Sequence, residues 1–214
     1  MDVSTPLKTP AVPFKHSEAN KTLQTDCKTL APVWEQVAND FASEPNVLVA
    51  KVDCEAPNAK ATAQEAGVKS YPTIKYYPAG STEAIPYTSG RSEADLVSFL
   101  NDKAGTFRVA GGGLNALAGT IPSLDDIVRT LQTGGAKAQE EFEKAVGAAK
   151  DQYAEYYGKV AKKSEANSGY VEKELARLQS LLKKGGLTTE KVDDLVRRSN
   201  ILNVFKGPAE KSEL

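Results

Sequence analysis

A stretch rich in glycine and alanine, residues 106–122, divides this 214-residue sequence into two halves with different hydrophobic patterns. Before it, short apolar runs rich in β-branched residues alternate with segments of helical period, which is typical of a domain that mixes strands and helices. After it, every apolar pattern has the helical period. The Gly111-Gly112-Gly113 triplet is the most flexible point of the stretch, so we expect a linker there. Five segments result: an irregular segment 1–23, an α/β domain 24–105, the linker 106–122, an all-α bundle 123–206 and a tail 207–214.

The first half carries three helical patterns and three strand patterns. Residues 28–41 predict the first helix, because apolar side chains recur at every third or fourth position and Pro32 would fall in its first turn. The motif Ser92-Glu93-Ala94-Asp95 predicts the start of the last helix. In chain order we expect a helix at 28–41, a strand at 47–52, a helix at 58–66, strands at 73–77 and 84–88, and a helix from 92 onward.

The second half predicts four helices that bury apolar faces against one another. They are a short helix after Ser123, one long helix over 136–165, a helix over 170–184 and a helix from Thr188 or Thr189, whose apolar end 201–205 closes the core. A stripe of tyrosines is expected to pack in this core, with an exposed peptide-binding face as the alternative: Tyr153, Tyr156, Tyr157 and Tyr170.

The composition of the sequence argues against several classes of function. A formal net charge of −1 gives no electrostatic reason to expect binding to nucleic acid or to an anionic membrane. No stretch approaches the roughly 20 apolar residues that span a bilayer. Two cysteines cannot form the disulfide framework of a small secreted domain. The single histidine, His16, has no cysteine or carboxylate spaced around it as a metal ligand, so we expect no metal and no cofactor.

Four motifs in the first half occur together in one family. They are the runs Cys27 to Glu35, Lys51 to Cys54, Val68 to Ile74 and Tyr87 to Arg91. Together they resemble the thioredoxin-like domain of a protein disulfide isomerase over residues 27–103. The resemblance implies an α/β thioredoxin-like domain and thiol–disulfide exchange on folding secretory proteins.

The second half resembles the helical D domain that is appended to some plant and fungal isomerases. The motifs Tyr156-Tyr157-Gly158-Lys159-Val160, Glu174 to Leu178 and Asn200-Ile201-Leu202 carry this resemblance, which covers about residues 121–206. The expected architecture is therefore a thioredoxin-like domain followed by a helical bundle.

The first half departs from the family pattern in two respects. The family has two cysteines spaced three residues apart, and the position three residues before Cys27 is Gln24. We also expect the domain to lack the family's first strand, first helix and central strand. Pro10 and Pro13 argue against a central strand in residues 1–23. The buried glutamate that the family places opposite Lys51 is not found.

The resemblance assigns Cys27 the role of the second cysteine of the dithiol. We expect it near a helix N-terminus, which would favour its thiolate. A single thiol can form a mixed disulfide with a client but cannot release it alone. The alternative is an inert, half-buried cysteine. Cys54 is expected to pack in the interior, although a bond to Cys27 stays open because the distance between them is not set by sequence.

Three further residues have roles that the resemblance implies. The peptide between Tyr71 and Pro72 is expected to be cis, and its backbone would pair with an extended substrate segment; the alternative is a trans proline at a turn. Arg91 resembles an arginine that approaches the site and tunes the pKa of the second cysteine. Its alternative is a solvated arginine beside a helix start.

The last four residues, Lys211-Ser212-Glu213-Leu214, are similar to an address for retention in the endoplasmic reticulum. Residues 1–22 have no apolar run of the kind that a secretory signal needs, so we expect that the natural N-terminus is absent or replaced here. The expected partners are unfolded or disulfide-containing client proteins and a retention receptor. The expected function is a lumenal isomerase with weak or lost activity, and the alternative is a non-catalytic chaperone or partner-binding module that acts through the helical half.

Overall fold

The structure is a computed structural model that describes residues 9–15, 21–54, 56–131 and 135–207. The chain divides into two compact units, Met1–Gly113 and Leu114–Leu214, and this boundary falls inside the predicted linker. In the part that the structure describes, the first unit combines a small sheet with three helices, and the second consists of helices alone. The predicted α/β half and the predicted all-α half are both present.

Short elements alternate in the first unit, whereas longer helices follow one another in the second. The first unit contains β1 (Thr9–Lys15), α1 (Lys21–Asp40), β2 (Val47–Val49), β3 (Val52–Asp53), α2 (Lys60–Glu65), β4 (Thr73–Tyr76), β5 (Ile85–Pro86) and α3 (Glu93–Ala104). The second unit contains α4 (Pro122–Leu131), α5 (Gly135–Ala148), α6 (Ala154–Ala166), α7 (Tyr170–Lys184) and α8 (Thr189–Lys206).

The strand β1 lies at the centre of the sheet, so the prediction that the central strand is lacking is wrong. The strands are ordered β2-β1-β4-β5, with β3 also paired to β1. β1 runs parallel to β2 and β3 and antiparallel to β4. Thr9 pairs with Val47 and Phe14 with Val52, so the parallel ladder is interrupted around Pro13. Proline has no backbone N–H, so it is excluded from a central strand only at positions where an N–H must donate to a neighbouring strand. Where the parallel ladder is interrupted, β1 needs fewer N–H donors.

The helices α1 and α3 cover one apolar cluster of the first unit. Its most buried members include Trp34, Val37 and Phe41 from α1 and Leu96 and Leu100 from α3. The indole N–H of Trp34 donates to the carbonyl of Ala50 at 3.2 Å, which ties α1 to the junction of β2 and β3. The predicted start of α3 is confirmed, because Ser92 and Asp95 form a capping box.

One continuous apolar core fills the second unit. Its fully buried side chains include Leu124, Tyr157, Leu178, Ile201 and Leu202. The prediction of a single helix over 136–165 is wrong, because α5 ends at Ala148 and α6 begins at Ala154. Asp151 lies in the break between the two helices, where its carboxylate accepts a hydrogen bond from the backbone N–H of Tyr153 at 2.7 Å and so favours a turn. The break lets two shorter helices pack on each other, as α5 and α6 do.

The predicted linker is not a free segment, because each half of it is bonded to its own unit. In the first unit, Asn101 on α3 binds the backbone of Arg108 through its amide nitrogen at 2.7 Å and its amide oxygen at 2.9 Å. In the second unit, the amide nitrogen of Asn200 on α8 donates to the carbonyls of Asn115 and Ala118, both at 2.9 Å. The glycine-rich composition predicts a flexible linker, but hydrogen bonds from the Asn101 and Asn200 side chains hold parts of this segment in place.

Candidate functional site

Cys27 lies well inside α1, not at its N-terminus. The helix begins at Lys21, six residues earlier, so the expected position near the helix start is wrong, and Pro32 lies in the helix interior rather than in its first turn. The Cys27 side chain is 8 % exposed and shares the buried face of α1 with Leu30 and Trp34. A buried cysteine of this kind is not presented to a disulfide of another protein.

Cys54 follows β3 and is buried in a small cluster around Ala63. Both cysteines are free, so the structure has no disulfide between Cys27 and Cys54. Burial raises the pKa of the Cys54 thiol, while a hydrogen bond with the Tyr71 side chain acts in the opposite direction. The expectation that Cys54 is a packing residue is confirmed.

The peptide bond between Tyr71 and Pro72 is cis, as expected. Pro72 is buried, and Tyr71 is half-buried beside Cys54. The structure thus brings Cys54 to the segment that the resemblance assigns to substrate binding. The binding of a substrate strand by Tyr71 and Pro72 stays a prediction.

Arg91 is exposed and directly precedes the Ser92 cap of α3. This position fits a solvated arginine at a helix start, and its role in tuning a cysteine stays a prediction. Lys51, which faces a buried glutamate in the family pattern, instead pairs with Glu35 at 3.2 Å on the surface of the unit. The backbone at Gln24 belongs to α1, three residues before Cys27.

Sequence reasoning missed a group of charged residues, which we call the charged cluster. Asp40 and Arg108 are buried, and Glu44 and Glu93 are partly buried beside them. The Arg108 side chain is 1 % exposed, and its guanidinium donates to Glu44 Oε1 at 2.6 Å, Ser43 Oγ at 2.8 Å and the Gly112 carbonyl at 2.9 Å. Glu44 and Arg108 are 64 positions apart, so no local sequence pattern could have joined them.

Asp40 is the carboxyl group of this cluster whose pKa is raised. It is the last residue of α1, it is 4 % exposed, and its Oδ2 atom is buried. Burial and then the neighbouring Glu93 carboxyl raise the pKa of Asp40 to about 6. The Gly111 backbone amide and the Arg108 charge act in the opposite direction.

The tyrosines of the second unit pack in its core, so the core interpretation is confirmed. Tyr157 is fully buried, its hydroxyl donates to the Asp125 carboxylate, and the Ile121 N–H donates to that hydroxyl at 3.0 Å. Tyr153, Tyr156 and Tyr170 are partly buried against the same core. Burial raises the pKa of both Tyr156 and Tyr157, since it disfavours the phenolate.

Two surface cavities open beside α6 in the second unit. One has a volume of about 420 Å³ and lies between α5 and α6, with Phe142 and Val146 in its wall. The other has a volume of about 390 Å³ and is lined by five helices, with Val171 and Phe205 in its wall. Both sizes fall in the range of ligand-binding clefts. Gln139 and Ala161 line both cavities.

Several expectations fall outside what the structure describes. His16 and the tail residues Lys211, Ser212, Glu213 and Leu214 lie outside the described residues. Among the described residues, no group of three or more histidine, cysteine, aspartate or glutamate side chains is placed to hold a metal ion. The described helices include none with the length and apolar character needed to cross a membrane.

Comparisons with known proteins match each unit to a family. Residues 23–102 match the family described as thioredoxin, and residues 119–205 match the family described as endoplasmic reticulum protein ERp29, C-terminal domain. The thioredoxin match begins after β1.

Curated relatives align with most of this chain. Protein disulfide-isomerase tigA of Aspergillus niger is 54% identical over 187 residues, which is 87% of this chain and 52% of the relative. Protein disulfide-isomerase erp38 of Neurospora crassa is 51% identical over 186 residues, 84% of this chain and 50% of the relative. Probable protein disulfide-isomerase A6 of Medicago sativa is 36% identical over 188 residues, with shares of 84% and 50%. The chain spans about half the length of the curated relatives it matches.

Proposed function

We propose that this chain is a member of the protein disulfide isomerase family that acts in the lumen of the endoplasmic reticulum on folding secretory proteins, with thiol–disulfide exchange that is weak or lost. One observation carries the proposal. The thiol that matches the family site, Cys27, is buried inside α1, and the position three residues before it is Gln24.

Exchange with a client disulfide needs an accessible thiolate. The attacking sulfur forms a bond to one client sulfur, and the other client sulfur leaves as a thiolate. A second thiol nearby must then displace the client sulfur to complete the cycle. Cys27 has no cysteine three residues away, and Cys54 is buried in a separate cluster. A mixed disulfide on Cys27 would therefore depend on an external thiol for its release.

The presence of β1 changes the argument for weak activity. A missing central strand would have removed the scaffold of the site, but the structure contains that strand. The argument therefore rests on the cysteines alone: one of the two is replaced, and the remaining one is buried.

Lumenal localisation is supported by two independent features. The match of the second unit is to a family named for the endoplasmic reticulum. The sequence also ends with Lys211-Ser212-Glu213-Leu214, which resembles a retention address. A reporter that enters the secretory pathway and carries this tail should stay inside the cell. Secretion of that reporter at the rate of an untagged one would contradict a retention role for the tail.

Refolding of scrambled ribonuclease tests the enzymatic part of the proposal. The unmodified chain and the Cys27→Ser variant should both refold ribonuclease at close to the uncatalysed rate. Gln24→Cys should add little, because Cys27 remains buried, and Gln24→Ser is its matched control. Turnover at a rate normal for the family by the unmodified chain, lost in Cys27→Ser, would contradict the proposal.

A second candidate function is partner binding through the helical unit without catalysis. The two cavities beside α6 favour it, because their volumes of about 420 and 390 Å³ suit clefts that hold a ligand group. Suppression of the aggregation of an unfolded client should then persist after both cysteines are alkylated in denaturant and the chain is refolded. Loss of suppression on alkylation, with the fold retained, would favour the thiol-dependent function instead.

A further inference from the structure

The end of α1, the start of α3 and the Gly111-Gly112 turn meet at two carboxyl groups. Asp40 ends α1, and Glu93 begins α3. The Gly111 N–H donates to Glu93 Oε1 at 2.7 Å. Gly112 lies directly over Asp40, since a Cβ placed on Gly112 would be 3.5 Å from both Cα and Oδ1 of Asp40. The turn is thus seated on the pair of side chains.

The surroundings of Asp40 favour its protonated form. An ionised carboxylate can only accept hydrogen bonds. Asp40 Oδ2 is buried and finds no ordinary donor among the residues that the structure describes. Protonation of Asp40, which is 4% exposed, avoids a buried charge without a donor, and the neighbouring Glu93 carboxyl acts in the same direction.

The other charges around the pair do not replace this proton. Arg108 faces it from the turn, but its guanidinium binds Glu44, Ser43 and the Gly112 carbonyl. Arg108 thus binds Glu44 directly and acts on the Asp40 carboxyl through its charge. The direction of the Asp40 pKa, raised to about 6, agrees with this balance of charges.

We propose that Asp40 and Glu93 form a proton-dependent latch that holds the turn of residues 111–113 on the first unit. The latch is closed when Asp40 is protonated and loosens when Asp40 ionises. Arg108 keeps the preceding part of the segment anchored at every pH, because an arginine stays charged. The latch is independent of the proposed thiol chemistry, and its test does not use activity.

The glycine amides provide a direct readout of the latch. The experiment uses the full-length chain labelled with ¹⁵N, with His16→Gln as the background, because an unperturbed histidine side chain titrates in the same pH range. Amide shifts of Gly111, Gly112 and Gly113 are followed from pH 4.5 to 8. The expected result is a common titration with a midpoint of about 6, toward more solvent-exposed shifts at higher pH.

Two variants assign that titration. Asp40→Asn, which cannot ionise, should leave the three glycine amides flat across the range. Asp102→Asn is the matched control on α3, because Asp102 is 72% exposed and its removal should leave the titration intact. A flat profile in the His16→Gln background, a midpoint near that of an ordinary aspartate, or a titration that persists in Asp40→Asn would each overturn the latch.

Discussion

The two units of this chain are built on different kinds of interior. The helical unit closes around one continuous apolar core that five helices share. The first unit has two smaller apolar clusters and, beside them, the charged cluster around Arg108. Apolar burial is non-directional and tolerates small shifts, whereas a buried ion pair is stable only while every partner is in place. The first unit should therefore respond to the loss of single charged groups and to pH, and the second to the loss of apolar volume.

The largest expected effect is on the first unit. Arg108→Ala removes a buried cation and leaves Glu44, whose side chain is 12% exposed, without its partner, which should lower the free energy of unfolding by about 3–5 kcal/mol. Trp34, the only tryptophan, lies in this unit and reports its unfolding by fluorescence in urea. The exposed Arg91→Ala is the matched control. Equal unfolding midpoints for Arg108→Ala and the unmodified chain would contradict the claim that the first unit depends on single charged groups.

A cavity in the helical unit should have an effect of similar or slightly smaller size. Leu178 is fully buried, so Leu178→Ala should cost about 2–5 kcal/mol. Far-ultraviolet circular dichroism follows the helices, and its urea transition should move more than the Trp34 fluorescence transition does. Leu187→Ala, at a residue 36% exposed, should change little. A shift of the fluorescence transition alone would contradict the assignment of Leu178 to this core.

The buried carboxyl group of Asp40 extends the comparison to pH. Because the folded-state pKa of Asp40 is raised to about 6, its contribution to stability is fully present below the unfolded-state pKa and is lost as the pH rises through 6. Asp40→Asn should thus stabilise the first unit at pH 7.5, by on the order of 1–3 kcal/mol, and lose that advantage at pH 4. The measurement is the urea midpoint of Trp34 fluorescence at the two pH values. An advantage of equal size at both would show that ionisation of Asp40 is not involved.

The smallest effect is expected at the surface pair of Glu35 and Lys51. Both side chains are more than half exposed, so the surrounding water screens their attraction. Glu35→Gln should change the free energy of unfolding by less than about 0.5 kcal/mol. The same fluorescence transition measures this change. If Glu35→Gln lowered the free energy of unfolding as much as Arg108→Ala does, solvent exposure would not explain the difference between the Glu35–Lys51 and Glu44–Arg108 pairs.

Sequence reasoning worked best where structure depends on neighbouring residues. The helix predicted over 170–184 coincides with α7, because its apolar period and the Gly185-Gly186 stop are local signals. The family motifs led to the correct pair of domain types and to the cis peptide before Pro72. The break between α5 and α6 was missed because Asp151 interrupts a period that otherwise continues.

Sequence reasoning failed where distant segments meet. Pro10 and Pro13 argued against a central strand, but an interrupted ladder around Pro13 accommodates one. The apolar pattern predicts a helix that begins at residue 28, with Cys27 at its N-terminal end, whereas α1 begins at Lys21 and contains Cys27 in its interior. Arg108 lay in a stretch whose composition predicts a flexible linker, and its partners Ser43 and Glu44 are more than sixty positions away. Only the three-dimensional contacts show that this arginine is part of an interior.

The reactivity of Cys27 tests the central claim most directly. In a Cys54→Ser variant, Cys27 is the only thiol, and its alkylation rate can be compared in native buffer and in denaturant. Since the side chain is 8 % exposed inside α1, the native rate should be far below the denatured rate. A native rate equal to that of the unfolded chain would show an accessible thiol and would contradict the proposal that this chain has lost efficient exchange.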